Sequence, residues 1–346
     1  MVECGEVFST RPFPRVLVER AGLRVASGGG SGWWREARRY RVVISWFTPV
    51  GRELFDDPGC VRLVIARSSG FDHIDVGAAE MAGVCVANQP EVITESVAEH
   101  ALAGILAAAR SLLEAFRMAG EWASGGWPGW RLGSSLVYGR SVGLLGAGRI
   151  AVSLLSRLAP FRPSRVLYYS RSPKPALEHV FGARRVGLEN LFRESEILVN
   201  SLPLTGETRG LVTARLLRLL PYGAVYVNVG RGATEEPGAV YSVAWERPDL
   251  RFVLDVHPEE PLRPESPRLR LLRRKGVVLT PHVAGYTVES RVGTSLLALL
   301  QARAFLERGC VWNPVNGACK LCGSKPYTVE WAIREARRIA VELDQD

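Results

Sequence analysis

The sequence predicts an α/β protein of two doubly wound parallel-sheet domains with a cleft between them. Short apolar runs alternate with helix-like segments along most of the chain, the pattern of a parallel sheet built from strand–helix–strand units. A glycine pattern, Gly146-Ala147-Gly148-Arg149-Ile150-Ala151, stands between an apolar run and a helical one. The length of 346 residues is long for one domain and comfortable for two.

In the first hundred residues the expected strands are Glu6–Phe8, Leu23–Val25, Arg41–Ile44, Arg62–Ile65 and Val84–Val86. Gly28–Gly32 reads as a loop tip, because the alternation continues past it. Ser96–Arg117 is an apolar helix long enough to pass from one domain to the next. The Gly- and Trp-rich stretch Trp122–Tyr138 interrupts before the glycine pattern. Further strands are expected at Val142–Leu145, Val166–Tyr169, Ile197–Val199, Ala224–Asn228, Phe252–Leu254 and Val277–Leu279. A last helix, Thr328–Leu343, has Val329, Ile333, Ala336, Ala340 and Leu343 on one face, which fits packing on a domain surface. The expected organisation is one domain, 105–286, inserted into a second made of 1–104 and 287–346.

Composition narrows the partners. With 47% hydrophobic and 23% charged residues, the chain sits with ordinary soluble proteins. No window reads as the roughly 18 apolar residues that span a bilayer, and Met1–Arg20 lacks the apolar core of a signal peptide. A cytoplasmic protein without a membrane partner is expected. The net charge of +9 comes from scattered residues, densest at Arg35–Arg41 and Arg268–Arg274, and arginine outnumbers lysine by forty to four. Neither spot is interleaved with aromatic platforms, so no nucleic-acid partner is expected; a basic surface attracts small anions. Cys4, Cys60 and Cys85 are isolated, the last in a strand-like core run. Cys310, Cys319 and Cys322 cluster near the end. One CxxC with one more cysteine and no nearby histidine is half a zinc site at best. Structural thiols, a disulfide and a metal stay open in that order, and no metal ligand is assigned.

The glycine pattern has a physical reading. Gly146 allows a tight turn, Gly148 lets the backbone approach a pyrophosphate, and Ala151 keeps helix and strand close. The amides at Arg149 and Ile150, on the positive end of the helix, would hold the pyrophosphate of a dinucleotide. About 20 residues past the glycines a second strand ends in Ser170-Arg171-Ser172. An acidic residue there would bind the ribose 2′-hydroxyl of NAD, whereas an arginine and two hydroxyls suit a 2′-phosphate. NADP is the first choice; if Arg171 is only a solvated turn residue, NAD binds.

Three polar stations follow, each beside an apolar strand: Asn228–Gly232 with Arg231, Leu254–Pro261 with Asp255 and Glu260, and Thr280–Gly285 with His282. Ligands of an open parallel sheet gather at the carboxyl ends of its strands, where these stations fall. Reducing a 2-keto acid needs a cation for the carboxylate, a proton donor for the carbonyl oxygen and a hydride from the cofactor. Arg231 fits the first need and His282 the second, with Glu260 stabilising the protonated imidazole. In the plainer reading Arg231 pairs with Glu235 or Glu236, Glu260 is a surface carboxylate and His282 a turn residue. His73, His100, His179 and His257 are expected to be bystanders.

These motifs, in this order, resemble the D-isomer-specific 2-hydroxyacid dehydrogenases. Leu202–Gly210, Ser68–Asp75, Asn88 and Val97–Glu99 match as well, so the resemblance covers roughly residues 6–316. It implies Rossmann-like and flavodoxin-like domains, a homodimer and the catalytic triplet Arg231, Glu260 and His282. It further implies carboxylate donors in the amides of Ser69 and Gly70, and a nicotinamide-side contact in Asp255. Pro203 and Thr208 would lie on the cofactor face, Trp46 and Phe47 on a substrate-pocket loop, and Trp130 would reach the partner's site. Ser170–Ser172 and the lack of a regulatory domain are most similar to glyoxylate and hydroxypyruvate reductases. The alternatives are an NAD-dependent dehydrogenase of phosphoglycerate or another D-2-hydroxyacid, and a cofactor-sensing binding protein like the corepressors that resemble this family.

Overall fold

The computed structural model describes residues 4–122 and 128–344. Its strands are β1 (Gly5–Ser9), β2 (Val25–Ser27), β3 (Tyr40–Ser45), β4 (Leu63–Ala66), β5 (Cys85–Ala87), β6 (Val142–Leu145), β7 (Val166–Tyr169), β8 (Arg184–Arg185), β9 (Ile197–Asn200), β10 (Val225–Asn228), β11 (Arg251–Leu254) and β12 (Val277–Leu279). They form a five-stranded sheet in the order β2-β1-β3-β4-β5 and a seven-stranded sheet in the order β12-β11-β10-β9-β6-β7-β8. Every pairing is parallel. Helices cover both faces of such sheets, so β4, β6, β9 and β10 are buried at every residue. That double burial explains why they read as apolar runs rather than alternating ones. Strand order reverses between β1 and β3 in one sheet and between β6 and β9 in the other, the points where ligands of such folds bind.

Residues 1–94 and 286–346 make one compact unit, and residues 95–285 the other. The boundary lies ten residues before the expected one, because most of the helix Glu91–Ala109 packs inside the second unit. There a Cβ on Gly104 would collide with Val253, and Arg251 donates to the carbonyl of Ala108 at 2.7 Å. The expected helix 96–117 is two, Glu91–Ala109 and Leu112–Trp122, broken where Ser111 takes a positive φ of 50°. β2 starts two residues late. Gly22 closes the preceding helix in the left-handed region, and the Leu23 amide bonds back to Val18, which removes Leu23 from the strand. By length and mean hydropathy (1.3), Glu91–Ala109 also passes the test for a membrane span that no segment was expected to pass, yet over half of it is buried in the protein.

The cysteines differ most from expectation. All six pair, as Cys4–Cys60, Cys85–Cys319 and Cys310–Cys322, so the CxxC is divided between two bridges. Among the described residues no acid, histidine or cysteine cluster could hold a metal. The tail reaches Cys85 because it lies along β5. Val315 donates to Val86 at 2.8 Å, and the Asn316 amide accepts from Val86 and donates to Val84 at 3.0 and 2.9 Å. In the chain-entropy account a crosslink stabilises more the longer the loop it closes. Cys85–Cys319 spans 234 positions and Cys310–Cys322 only 12. Removing the first pair (both to Ala) should cost about 5 kcal/mol and the second about 3 kcal/mol. Urea midpoints of the two double variants, measured side by side, check the order.

Candidate active site

In the second unit the sheet ends its strands at one edge, and each polar station leaves from there. After β6, Gly146 has φ of 95°, and a Cβ on it would stand 3.2 Å from the backbone of Ser201 and Leu202. Gly148 begins the helix Arg149–Leu158 with no side chain capping it, and the space where its Cβ would be is open to 4 Å. The amides of Arg149 and Ile150 have no acceptor among the described residues. Uncommitted N–H groups at the positive end of a ten-residue helix, beside an open glycine, fit a pyrophosphate. After β7, the Ser170 hydroxyl donates to the Ser172 carbonyl at 2.5 Å. Arg171 is 85% exposed, with Glu207 at 3.6 Å. After β9, Thr208 closes its own loop by donating to the carbonyl of Pro203 at 2.6 Å.

Arg231 follows β10 over a buried polar floor. Asn228 donates to Glu235 at 2.7 Å and accepts from the Gly230 amide at 3.1 Å, while Asn200 reaches Thr234 and Tyr226 at 2.8 and 3.2 Å. Glu235 pairs with Arg268 at 2.7 Å, both side chains at least nine-tenths buried. Glu236 instead accepts from the Ala214 amide at 3.2 Å. Burial, with Glu235 beside it, raises the Tyr226 phenol well above its ordinary range. Arg231 bonds the Gly230 carbonyl at 2.8 Å and is partly exposed. Gly232 must be glycine: a Cβ would overlap the backbone of His257 and Pro258.

Past β11 and β12 a single carboxylate organises the turn that carries His282. Asp255 is fully buried. Its oxygens accept from the Thr280 hydroxyl at 2.6 Å and from the amides of Val283 and Ala284, both at 2.9 Å; its carbonyl accepts from the His282 amide at 2.8 Å. These bonds hold His282 at a φ of 54°, a left-handed conformation that costs a non-glycine residue about 1–3 kcal/mol. Such strain is found where a side chain must be aimed. The carboxylate expected to face a nicotinamide therefore serves first as a brace for this turn. His282 Nδ1 lies 2.6 Å from Glu260, and Glu260 also accepts from the His257 amide at 2.8 Å. Burial pushes the Glu260 carboxyl up, but the hydrogen bonds from His282 and His257 outweigh it, and the net shift is below the ordinary range.

Two histidines expected to be bystanders touch this turn. His257 Nε2 lies 2.9 Å from the Thr280 carbonyl, and burial lowers its pKa, which favours the neutral ring. His100 lies 3.2 Å from the Thr280 hydroxyl. Neither is legible in sequence, because both act through a partner distant along the chain.

In the first unit, Ser69 and Gly70 follow β4. The Ser68 hydroxyl donates to the Gly70 carbonyl at 2.6 Å and Asn88 to the Ser69 carbonyl at 2.7 Å, while the amides of Ser69 and Gly70 have no acceptor among the described residues. Phe47 is 60% exposed. Trp46 is covered by the buried guanidinium of Arg67, 3.4 Å from the ring centroid. Trp130 lies in a short 3-10 turn, and its side chain is outside the described residues.

The model of the D-isomer specific 2-hydroxyacid dehydrogenase NAD binding domain matches residues 102–284. A glyoxylate reductase of Aeropyrum pernix is 41% identical over 261 residues, 74% of this chain and 76% of the relative. The chain belongs to this family. A glyoxylate reductase of Thermococcus kodakarensis is 38% identical over 74% of this chain and 77% of its own length. The crystal structure of an NADPH-dependent glyoxylate/hydroxypyruvate reductase of Sinorhizobium meliloti, with NADP and malonate, superposes with a TM-score of 0.75. It is 26% identical and covers 93% of this chain and 99% of its own. As a D-2-hydroxyacid dehydrogenase, the protein is an NAD(P)-dependent oxidoreductase acting on a small keto or hydroxy acid. The Asp255 brace gives a direct test. Asp255→Asn places an amide donor against the backbone N–H groups of the His282 turn. It should cost about 1–3 kcal/mol of stability and lower kcat more than it changes KM for the keto acid, read by thermal melts and steady-state rates.

Proposed function

We propose that the protein reduces glyoxylate or hydroxypyruvate to the 2-hydroxy acid with NADPH, through Arg231, Glu260 and His282. The observation that carries this is the Glu260–His282 pair, 2.6 Å apart, on a strained turn at the end of β12, two strands from the end of β10 that bears Arg231. The donor set around Gly146 and Gly148 suits a dinucleotide, which supplies the hydride when bound. Arg231 would take the substrate carboxylate and polarise the carbonyl, because a guanidinium presents donors in a fixed fork. With Nδ1 directed at Glu260, His282 would deliver its proton to the carbonyl oxygen from Nε2. The ionised Glu260 stabilises the charged imidazole beforehand.

The remaining assignments extend the same reading. The amides of Ser69 and Gly70 are carboxylate donors, and Phe47 and Trp130 shape the substrate pocket. Arg149, Ile150, Pro203, Thr208 and Asp255 lie on the cofactor side, and Ser170, Arg171 and Ser172 receive the 2′-phosphate. Support for NADPH is the exposed Arg171 with no acid on its own strand end, together with the NADPH-dependent reductase among the similar structures. The nucleotide domain is taken as the unit 95–285, the working form as a cytoplasmic homodimer, and its ligands as small anions rather than nucleic acid or membrane.

Initial rates with glyoxylate, hydroxypyruvate and 3-phosphohydroxypyruvate, each with NADPH and NADH, test the reading. NADPH-linked turnover of the two small acids supports it, and preference for NADH with the phosphorylated acid overturns it. Cofactor binding without turnover would favour the corepressor-like alternative. His282→Ala should lower kcat about 10²–10⁴-fold. Because the Glu260 carboxyl titrates below its usual range, it is fully ionised above that range and loses its charge only as pH falls through the lowered value. Glu260→Gln should remove this support, moving the alkaline limb of the reduction rate to lower pH. An unmoved limb would exclude Glu260 from the proton-transfer pair.

A further inference from the structure

The short strand β8 consists of two arginines, and no role for either follows from the catalytic scheme. Arg184 pairs with Leu167 and Arg185 with Tyr168 of β7, at the edge of the seven-stranded sheet. Arg185 is exposed, yet its side chain is bonded along the surface to the turn after β7. Its Nε and Nη2 donate to the carbonyl of Ser170 at 3.2 and 3.0 Å, and Nη2 donates also to the carbonyl of Arg171 at 2.8 Å. One planar guanidinium thus grips two successive carbonyls of the turn that ends β7. No other donor among the described residues reaches either oxygen.

We propose that Arg185 is a positioning residue for cofactor choice: from β8 it fixes the turn Ser170–Ser172 so that this turn, with Arg171, receives the 2′-phosphate of NADP. The inference rests on the NADPH reading given above. The Ser170 hydroxyl is bonded within the turn, to the Ser172 carbonyl at 2.5 Å, and the Arg171 side chain is 85% exposed. Two guanidinium groups attached to one three-residue turn repel each other, a cost that a dianionic phosphate relieves and a ribose hydroxyl does not. Among the described residues Arg171 meets the acid Glu207, at 3.6 Å and itself 73% exposed, an exposed contact that a phosphate can displace. Arg185 therefore acts in two ways, as a fixed charge behind the turn and as its clamp. An ammonium cannot replace the clamp, because it lacks the planar fork that spans two carbonyls.

The test compares Arg185→Ala, Arg185→Lys and Arg171→Ala with the parent protein. Kd for NADPH and NADH is measured by cofactor fluorescence, KM and kcat with glyoxylate, and folding by thermal melts. Arg185→Ala should weaken NADPH binding about tenfold while leaving NADH within about twofold and kcat unchanged. Arg185→Lys should recover only part of the loss. In the double variant with Arg171→Ala, the two losses should be less than additive, since each residue acts on the same turn. Equal weakening of both cofactors, or no change in either, would make Arg185 a sheet-edge residue and overturn the inference while leaving the NADPH reading intact. A parent protein that prefers NADH overturns both. Full recovery by Arg185→Lys would reduce the role to charge alone and overturn the clamp.

Discussion

The buried carboxylate of Asp255 is the interaction on which the active site depends. One side chain, fully enclosed at the end of β11, satisfies the hydroxyl of Thr280 and two consecutive amides of the next strand's exit. A buried carboxylate left without such donors would be costly, and a turn with a left-handed histidine would relax without such an acceptor. Each removes the other's penalty. Once they are joined, the direction of His282 is settled by the backbone, and Glu260 needs only to meet a ring whose position is already fixed.

The same device recurs along the edge of the sheet. Asn228 at the end of β10 and Asn200 at the end of β9 each turn their amides onto neighbouring backbone or hydroxyl groups, and Glu235 with Arg268 forms a buried ion pair. Inside a low-dielectric core such networks are rigid when every member is bonded, and expensive when one is missing. Where polar side chains could not close the gap, the chain closes it with glycine. Gly232 lets one loop lie directly on His257 and Pro258. The loops that carry chemistry are therefore as well supported as the strands beneath them.

Much of this was legible in the sequence because it is local. The β–α alternation, the glycine turn, and the order of Arg231, Glu260 and His282 all lie within short windows, and ten of the twelve strands were expected within one residue at each end. What escaped depends on partners far along the chain. β8 has no apolar residue to announce it, since its two arginines earn their place only against the turn after β7. His257 and His100 look idle until Thr280 is brought beside them. The helix break at Ser111 is a backbone conformation that residue type alone does not forecast. Cysteine pairing is the extreme case, because Cys85 and Cys319 share no window at all.

That last bridge alters the topology of the molecule as well as its stability. Residues 85–319 form a covalently closed ring, and the whole nucleotide-binding unit lies within it. A protease that cuts once anywhere in the ring opens it without releasing a fragment; the two pieces stay one molecule until a reductant separates them. The unit can thus lose the continuity of its backbone and still keep both of its attachments to the sheet from which it departs.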